Sequence, residues 1–317
     1  MAVGPSAAFY ISAQLVLWLA VSKPTKAPLG ASLIVVSSVF YASYGIWTKL
    51  MGNFFGGYTA SAVRSVLVLL MLTPIAAAMH AWEPLNVRQN WRFVGGMTFA
   101  SLFTWGPLYY AILHAGVGVS LAISYASIVI GTFFFSWIFV GEHFTKDKAL
   151  SAVLGIGGLV LIFSPSTSRL DWLPLAAAVV SGLSAAANTV FAKQVKYNAT
   201  QATVVLWVTS VVANVGMALA VGEARPAIGW HVQWLYAVFF AVASVIASWS
   251  LVRGVKLIEA GAAGVLGLLE IVFGLCFGVL FFHERPGVLV LIGAGVIIAA
   301  AAIPYIKDYN AQRGTLG

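Results

Sequence analysis

Residues 260–284 read AGAAGVLGLLEIVFGLCFGVLFFHE. From Ala260 to Phe282 a single charged side chain, Glu270, interrupts the apolar text. An α-helix needs roughly 20 apolar residues to cross about 30 Å of hydrocarbon, so this stretch is long enough to cross. Barrel strands alternate apolar and polar residues and span with about 10. No such alternation is present here. Backbone groups in hydrocarbon must be hydrogen-bonded internally, which leaves a helix.

Working outward, nine more stretches read the same way. The ten are 31–49, 58–79, 93–113, 118–140, 148–165, 172–192, 200–221, 231–252, 260–282 and 286–305. Little chain remains between them. Of the 317 residues, 61% are apolar and 8% charged. A soluble domain carries about 25% charged residues, so lipid is the solvent this composition suits. The expected fold is an all-α integral membrane protein of ten transmembrane helices.

The net charge of +8 does not point to nucleic acid. The basic residues sit singly or in pairs between apolar runs, with no basic cluster and no interleaved aromatics. The sole cysteine, Cys276, lies inside the ninth run and reads as a small packed residue. No Walker loop, HExxH or metal-spaced Cys/His set occurs. Neither enzymatic activity nor a cofactor or metal is therefore expected, and transport energy would have to come from a gradient.

Lys and Arg mark cytoplasmic loops. With the N-terminus inside, the inner segments hold Lys23, Lys26, Arg88, Arg92, Lys146, Lys148, Lys193, Lys196, Arg253, Lys256, Lys307 and Arg313. The outer segments hold Lys49, Arg169, Arg225 and Arg285. Both termini are expected in the cytoplasm and the protein in a cell inner membrane. The apolar stretch Ala7–Val21 is short, and a Pro-containing segment follows it. It is read as an interfacial helix within an N-terminal extension of residues 1–30. An eleventh span or a signal-peptide core remain alternatives, though no Lys or Arg precedes it.

The two halves carry matching landmarks. The fourth run ends in Phe139-Val140-Gly141-Glu142 and the ninth in Phe281-Phe282-His283-Glu284. The first ends in Trp47-Thr48-Lys49 and the sixth in Phe191-Ala192-Lys193. Ala115-Gly116 recurs as Ala260-Gly261. Residues 31–165 and 172–305 thus read as two five-helix repeats, followed by a tail at 306–317. Five is odd, so tandem units cross in opposite senses and form an inverted repeat. Such repeats commonly build secondary transporters, with the solute site at mid-membrane between them.

On several of these residues the chain resembles the drug/metabolite transporter superfamily, in its ten-helix EamA-type branch, over about residues 30–305. The shared pieces are Tyr44-Gly45-Ile46-Trp47-Thr48-Lys49, Arg64 early in the second helix, Gly141-Glu142, and Glu270 ahead of Glu284. Ile271 stands where the family usually has Pro, and Ile128 where the first repeat would carry the glutamate. The resemblance implies a ten-helix inverted-repeat fold that exports or exchanges small metabolites.

A charge at mid-bilayer costs about 3 kcal/mol or more, so Glu270 faces the bundle interior. It suits proton coupling or a cationic solute group. The plainer alternative is a neutral carboxyl bonded at a helix kink. Arg64 reads first as an anchor snorkelling to the headgroups. Its sharper reading is a gating or anion contact with Lys49. Glu142 and Glu284 read as caps on the helices that follow them. The deep aromatics Tyr41, Tyr44, Trp105, Tyr109, Tyr125, Trp207 and Trp249, with Asn188, are candidates to line a solute cavity, although ordinary packing also uses such residues. The expected protein is a secondary transporter of small organic metabolites, amino acids among the candidates, in contact with lipid and driven by a proton gradient, as a monomer or homodimer. A lipid or lipid-linked sugar flippase on the same scaffold is the alternative.

Overall fold

The computed structural model describes residues 26–52, 54–84, 87–115, 117–143, 145–163, 171–223, 226 and 229–314. The stretch Ala7–Val21 lies outside these residues. Every regular element among them is an α-helix. In chain order they are α1 (Lys26–Ala42), α2 (Tyr44–Met51), α3 (Gly57–Ala78), α4 (Val87–Ala115), α5 (Val117–Val140) and α6 (Lys146–Phe163). There follow α7 (Trp172–Gln194), α8 (Ala199–Ala220), α9 (Val232–Val255), α10 (Ala260–Gly267), α11 (Leu269–Phe282) and α12 (Val288–Gly314).

Seven helices are long and apolar enough to cross a membrane: Ala27–Met51, Gly57–Ala78, Val117–Val140, Trp172–Gln194, Ala199–Ala220, Val232–Val255 and Ala260–Phe282. α4, α6 and α12 are helical over the other three expected stretches but fall outside this set. α6 spends its first turn on Lys146, Asp147 and Lys148. The apolar part of α12 is the shorter Val288–Ile303. Large apolar side chains such as Leu70, Phe99, Trp137, Val153, Leu219 and Phe281 are exposed, as a lipid-facing surface requires. The chain is a multi-pass membrane protein.

Two runs that read as continuous in the sequence are broken. Between α1 and α2, Ser43 donates its hydroxyl to Phe40 O at 2.6 Å, and Ile46 N bonds back only three residues to Ser43 O at 2.9 Å. A serine bonding back into its own helix bends it. Between α10 and α11, Leu268 N donates to Val265 O and Ile271 N to Leu268 O, both at 3.1 Å. These three-residue bonds tighten the turn. The Ser38 hydroxyl of α1 reaches Leu266 O at 3.5 Å, so the first broken helix leans on the break in the other.

The helices pack in a pattern that survives exchange of the two halves. α4 lies along α7, and α9 lies along α1 and α2. α5 lies along α7, and α10 and α11 lie along α1. α4 meets α8 as α9 meets α3. The pairs α3 with α8, α6 with α12 and α5 with α10 each map onto themselves. Without a hydrophobic drive in lipid, such contacts depend on close approach. A methyl group on Gly182 of α7 would stand 2.2 Å from Ser124 O of α5, and one on Gly158 of α6 2.8 Å from Gly293 O of α12. Gly274 and Gly278, four residues apart in α11, make no helix contact of this kind: a methyl on Gly274 would meet nothing within 4 Å, and one on Gly278 would meet the side chain of Glu284.

Candidate functional site

Both helix breaks deliver polar groups to the interior. Tyr41 and Tyr44 flank Ser43, with rings 5.1 Å apart and set edge to face. Glu270 sits in the first turn of α11, directly after the other break. A carboxylate there faces the positive end of a helix that begins inside the span. Its Oε1 accepts a 2.7 Å hydrogen bond from the Tyr125 hydroxyl of α5. Glu270 does sit at a kink, but its partner is a side chain of the first half and not a backbone carbonyl. Tyr41 lies within electrostatic reach of both Glu270 and Arg64.

Arg64 differs from its first reading. Instead of snorkelling to the headgroups it is 3% exposed, on the inner face of α3. Its Cζ lies 4.9 Å from the Tyr44 ring, 5.1 Å from Trp105, 5.5 Å from Trp207 and 4.6 Å from Phe240. Tyr44 and Trp105 come from the first half, Trp207 and Phe240 from the second. Rings in such positions attract a cation through their faces. Among the described residues no acceptor meets the Arg64 Nε–H. The position on the helix gives depth from its end but not facing, which is why the anchor reading came first.

The other candidates divide. Trp207, buried beside Arg64, donates Nε1–H to Ser248 Oγ at 2.8 Å. Trp249 donates instead to Thr200 Oγ1 at 3.0 Å and carries Arg253 over its ring. Asn188 donates to Thr104 Oγ1 at 3.3 Å and accepts from Ser101, joining α7 to α4. The Tyr109 ring lies tilted against Tyr58 at the start of α3, with centroids 5.8 Å apart. Lys49 is not with Arg64 in any contact of the structure; its Nζ meets Glu284 Oε1 at 2.5 Å and stands over the Phe282 ring. No signal in the sequence singled out Phe240, which closes the cage around Arg64.

The ends of the helices are tied across the halves. Lys193 donates to Glu142 and, at 2.8 Å, to Ile258 O. Glu142 also accepts from Ala260 N at 3.0 and 3.1 Å. It is therefore a cap, as expected, but on α10 of the other half and not on α6. Lys148 pairs with Glu259 at 2.5 Å, and Lys256 Nζ donates to Val195 O at 2.6 Å. Burial pushes the Lys256 ammonium below its ordinary value. Glu284 likewise is bonded to Lys49 of the opposite half. Glu223, after α8, accepts from Tyr58 N, Thr59 N and Thr59 Oγ1 at 3.0, 2.7 and 2.8 Å and so caps α3. The converse tie joins Gln201 of α8 to the backbone of Glu83, after α3, through two 3.0 Å bonds. Glu223 went unnoticed in the sequence, although its distance from Glu83 is close to the repeat spacing.

A sequence model of the EamA-like transporter family matches the chain twice, over residues 28–164 and 172–305. The chain is 22% identical over 309 residues to "Probable transport protein YPL264C" of Saccharomyces cerevisiae, covering 86% of each. It is 25% identical over 158 residues to "Uncharacterized membrane protein YMR253C" of the same yeast, covering 44% of this chain and 37% of that one. A crystal structure, 16% identical, superposes with a TM-score of 0.74 over 89% of this chain and 98% of the other, a likeness of fold. The family match and the relative named as a probable transport protein point to transport and not to catalysis. With the family matched along both halves, the chain belongs to the EamA-like transporters of the drug/metabolite transporter superfamily.

Proposed function

We propose that the protein is a secondary active transporter that exports or exchanges small organic metabolites, amino acids among them. Ten helices cross an inner membrane, with both ends of the chain in the cytoplasm. The two five-helix halves run in opposite senses, and the solute binds between them at mid-membrane. Rocking of one half-derived bundle against the other exposes the site to each side in turn. Glu270 exchanges the coupling proton, and Tyr41, Tyr44, Tyr125, Trp105 and Trp207 surround the solute.

The observation that carries this reading is the pair of cross-half ion pairs. Lys193 with Glu142 and Lys49 with Glu284 occupy corresponding positions in the two repeats. Under the ten-span threading the first pair lies on the cytoplasmic side and the second outside. The other ties between helix ends seen among the described residues, including Glu223 with Thr59 and Gln201 with Glu83, also join ends on one side under that threading. A carrier that opens alternately needs such matched closures at its two faces.

The test is uptake of radiolabelled amino acids, nucleosides and amines into proteoliposomes holding the purified protein, with and without an imposed pH gradient. Saturable, gradient-stimulated flux of one class supports the proposal. Movement of fluorescent lipid between leaflets, with none of the soluble compounds carried, would replace it with the flippase.

A further inference from the structure

We infer that Arg64 is the anion-binding, specificity-determining residue of the central site, and that it restricts transport to solutes bearing a carboxylate or a similar oxyanion. The inference rests on the transporter reading and names the substrate class.

A buried charge is ordinarily paired, because removal from water without a partner is costly. None of the ion pairs among the described residues includes Arg64, and no acceptor among those residues meets its buried Nε–H. The four surrounding rings compensate the charge partly through their faces. Those faces offer no lone pair to the N–H donors, which form a planar fork matched to a carboxylate. The side chain is therefore held buried with its Nε–H unsatisfied. A snorkelling anchor would have its donors in water or on phosphate. A structural arginine would have a carboxylate or carbonyl against it.

Of the cage residues, Trp105 is exposed and Trp207 is buried. Tyr41 lies in electrostatic reach of both Arg64 and Glu270. A solute with its oxyanion on Arg64 and Tyr41 beside it has Glu270 as the second charged group of the site, where a proton or a cationic group is favoured. The two charged residues are thus the two poles of one site. The rings from both halves around Arg64 make its cage sensitive to their relative position, so that binding an anion there is felt by both.

The test uses the purified full-length protein, with acetate, benzoate, 3-phenylpropionate, 3-phenylpropylamine and L-phenylalanine as probes at matched ionic strength. Thermal melting and titration calorimetry give the readout. At least one carboxylate should stabilise the wild type where the amine does not. Arg64→Gln should bind it about tenfold more weakly or worse, the loss of a charge-assisted hydrogen bond, and Arg64→Lys should restore part of the affinity. Stabilisation that is equal in wild type and Arg64→Gln, or absent with every carboxylate, overturns the inference. Should Arg64→Gln not fold, phenylglyoxal modification of Arg64 in the wild type, followed by mass spectrometry, decides. Protection by the carboxylates is expected, and modification indifferent to them refutes the assignment. Flux of wild-type proteoliposomes is measured separately, so a silent Arg64 with intact transport removes this inference and leaves the carrier in place.

Discussion

Lys193 and Glu142 are ion-paired across the boundary between the two halves, and both side chains are mostly buried, at 17% and 11% exposure. The counterpart, Lys49 with Glu284, is 54% and 51% exposed. The same chemistry is thus mostly buried in one pair and exposed in the other. Beside the buried pair Glu142 also caps α10, and Lys148 with Glu259 adds a second pair.

This asymmetry predicts unequal costs for equivalent substitutions. Glu142→Gln strands a largely buried ammonium and should cost about 3 kcal/mol, seen as a clear drop in melting temperature of the purified protein. Glu284→Gln, at a solvated pair, should cost less than about 1 kcal/mol. Equal destabilisation by the two would show that the pairs are not buried differently.

Glu270→Gln should leave the protein folded and abolish flux driven by a pH gradient in proteoliposomes. Tyr125→Phe removes one hydrogen bond, a loss of about 1 kcal/mol, and should change the pH dependence of flux without abolishing it. If Glu270→Gln transports with an unchanged pH profile, the residue has no part in coupling.

Helix approach predicts a contrast between glycines. Gly182→Ala sets a methyl against the backbone of α5 and should destabilise by about 1–3 kcal/mol through overpacking. Gly274→Ala, with open space around it, should be close to neutral. Melting curves of the two variants check the difference.

Glu223 predicts a long-range cap. Glu223→Ala leaves the first amides of α3 without acceptors and should cost about 1 kcal/mol, whereas Glu223→Asp should recover part of it. Hydrogen exchange at Tyr58 and Thr59 should speed up in the alanine variant and not elsewhere in α3.

The helical runs were legible because hydrocarbon leaves a chain few choices. A stretch such as 260–282 has nothing polar enough to be a loop, and its helix, including Glu270 near the centre, lies where the sequence puts it. The partners of Glu142 and Glu284 were not legible, because a cap on the next helix and a pair with a helix fifty or more residues away ask for the same residue type. The breaks at Ser43 and Leu268 carry no proline to announce them. The first follows from a serine bonding to its own backbone, and the second shows itself only in three-residue backbone bonds around Leu268. Tyr44, Trp105 and Trp207 converge, but Asn188 and Trp249 serve helix contacts, and a sequence position alone cannot distinguish a side chain that faces a neighbour from one that faces the centre.

The opposite orientation of the two halves is tested most directly by labelling single cysteines at the corresponding turns. In a Cys276→Ser background, His143→Cys and Arg285→Cys are exposed to a membrane-impermeant maleimide, in intact cells and after permeabilisation. Arg285→Cys should label in intact cells and His143→Cys only once the membrane is opened. Labelling of both from the same side would contradict the account.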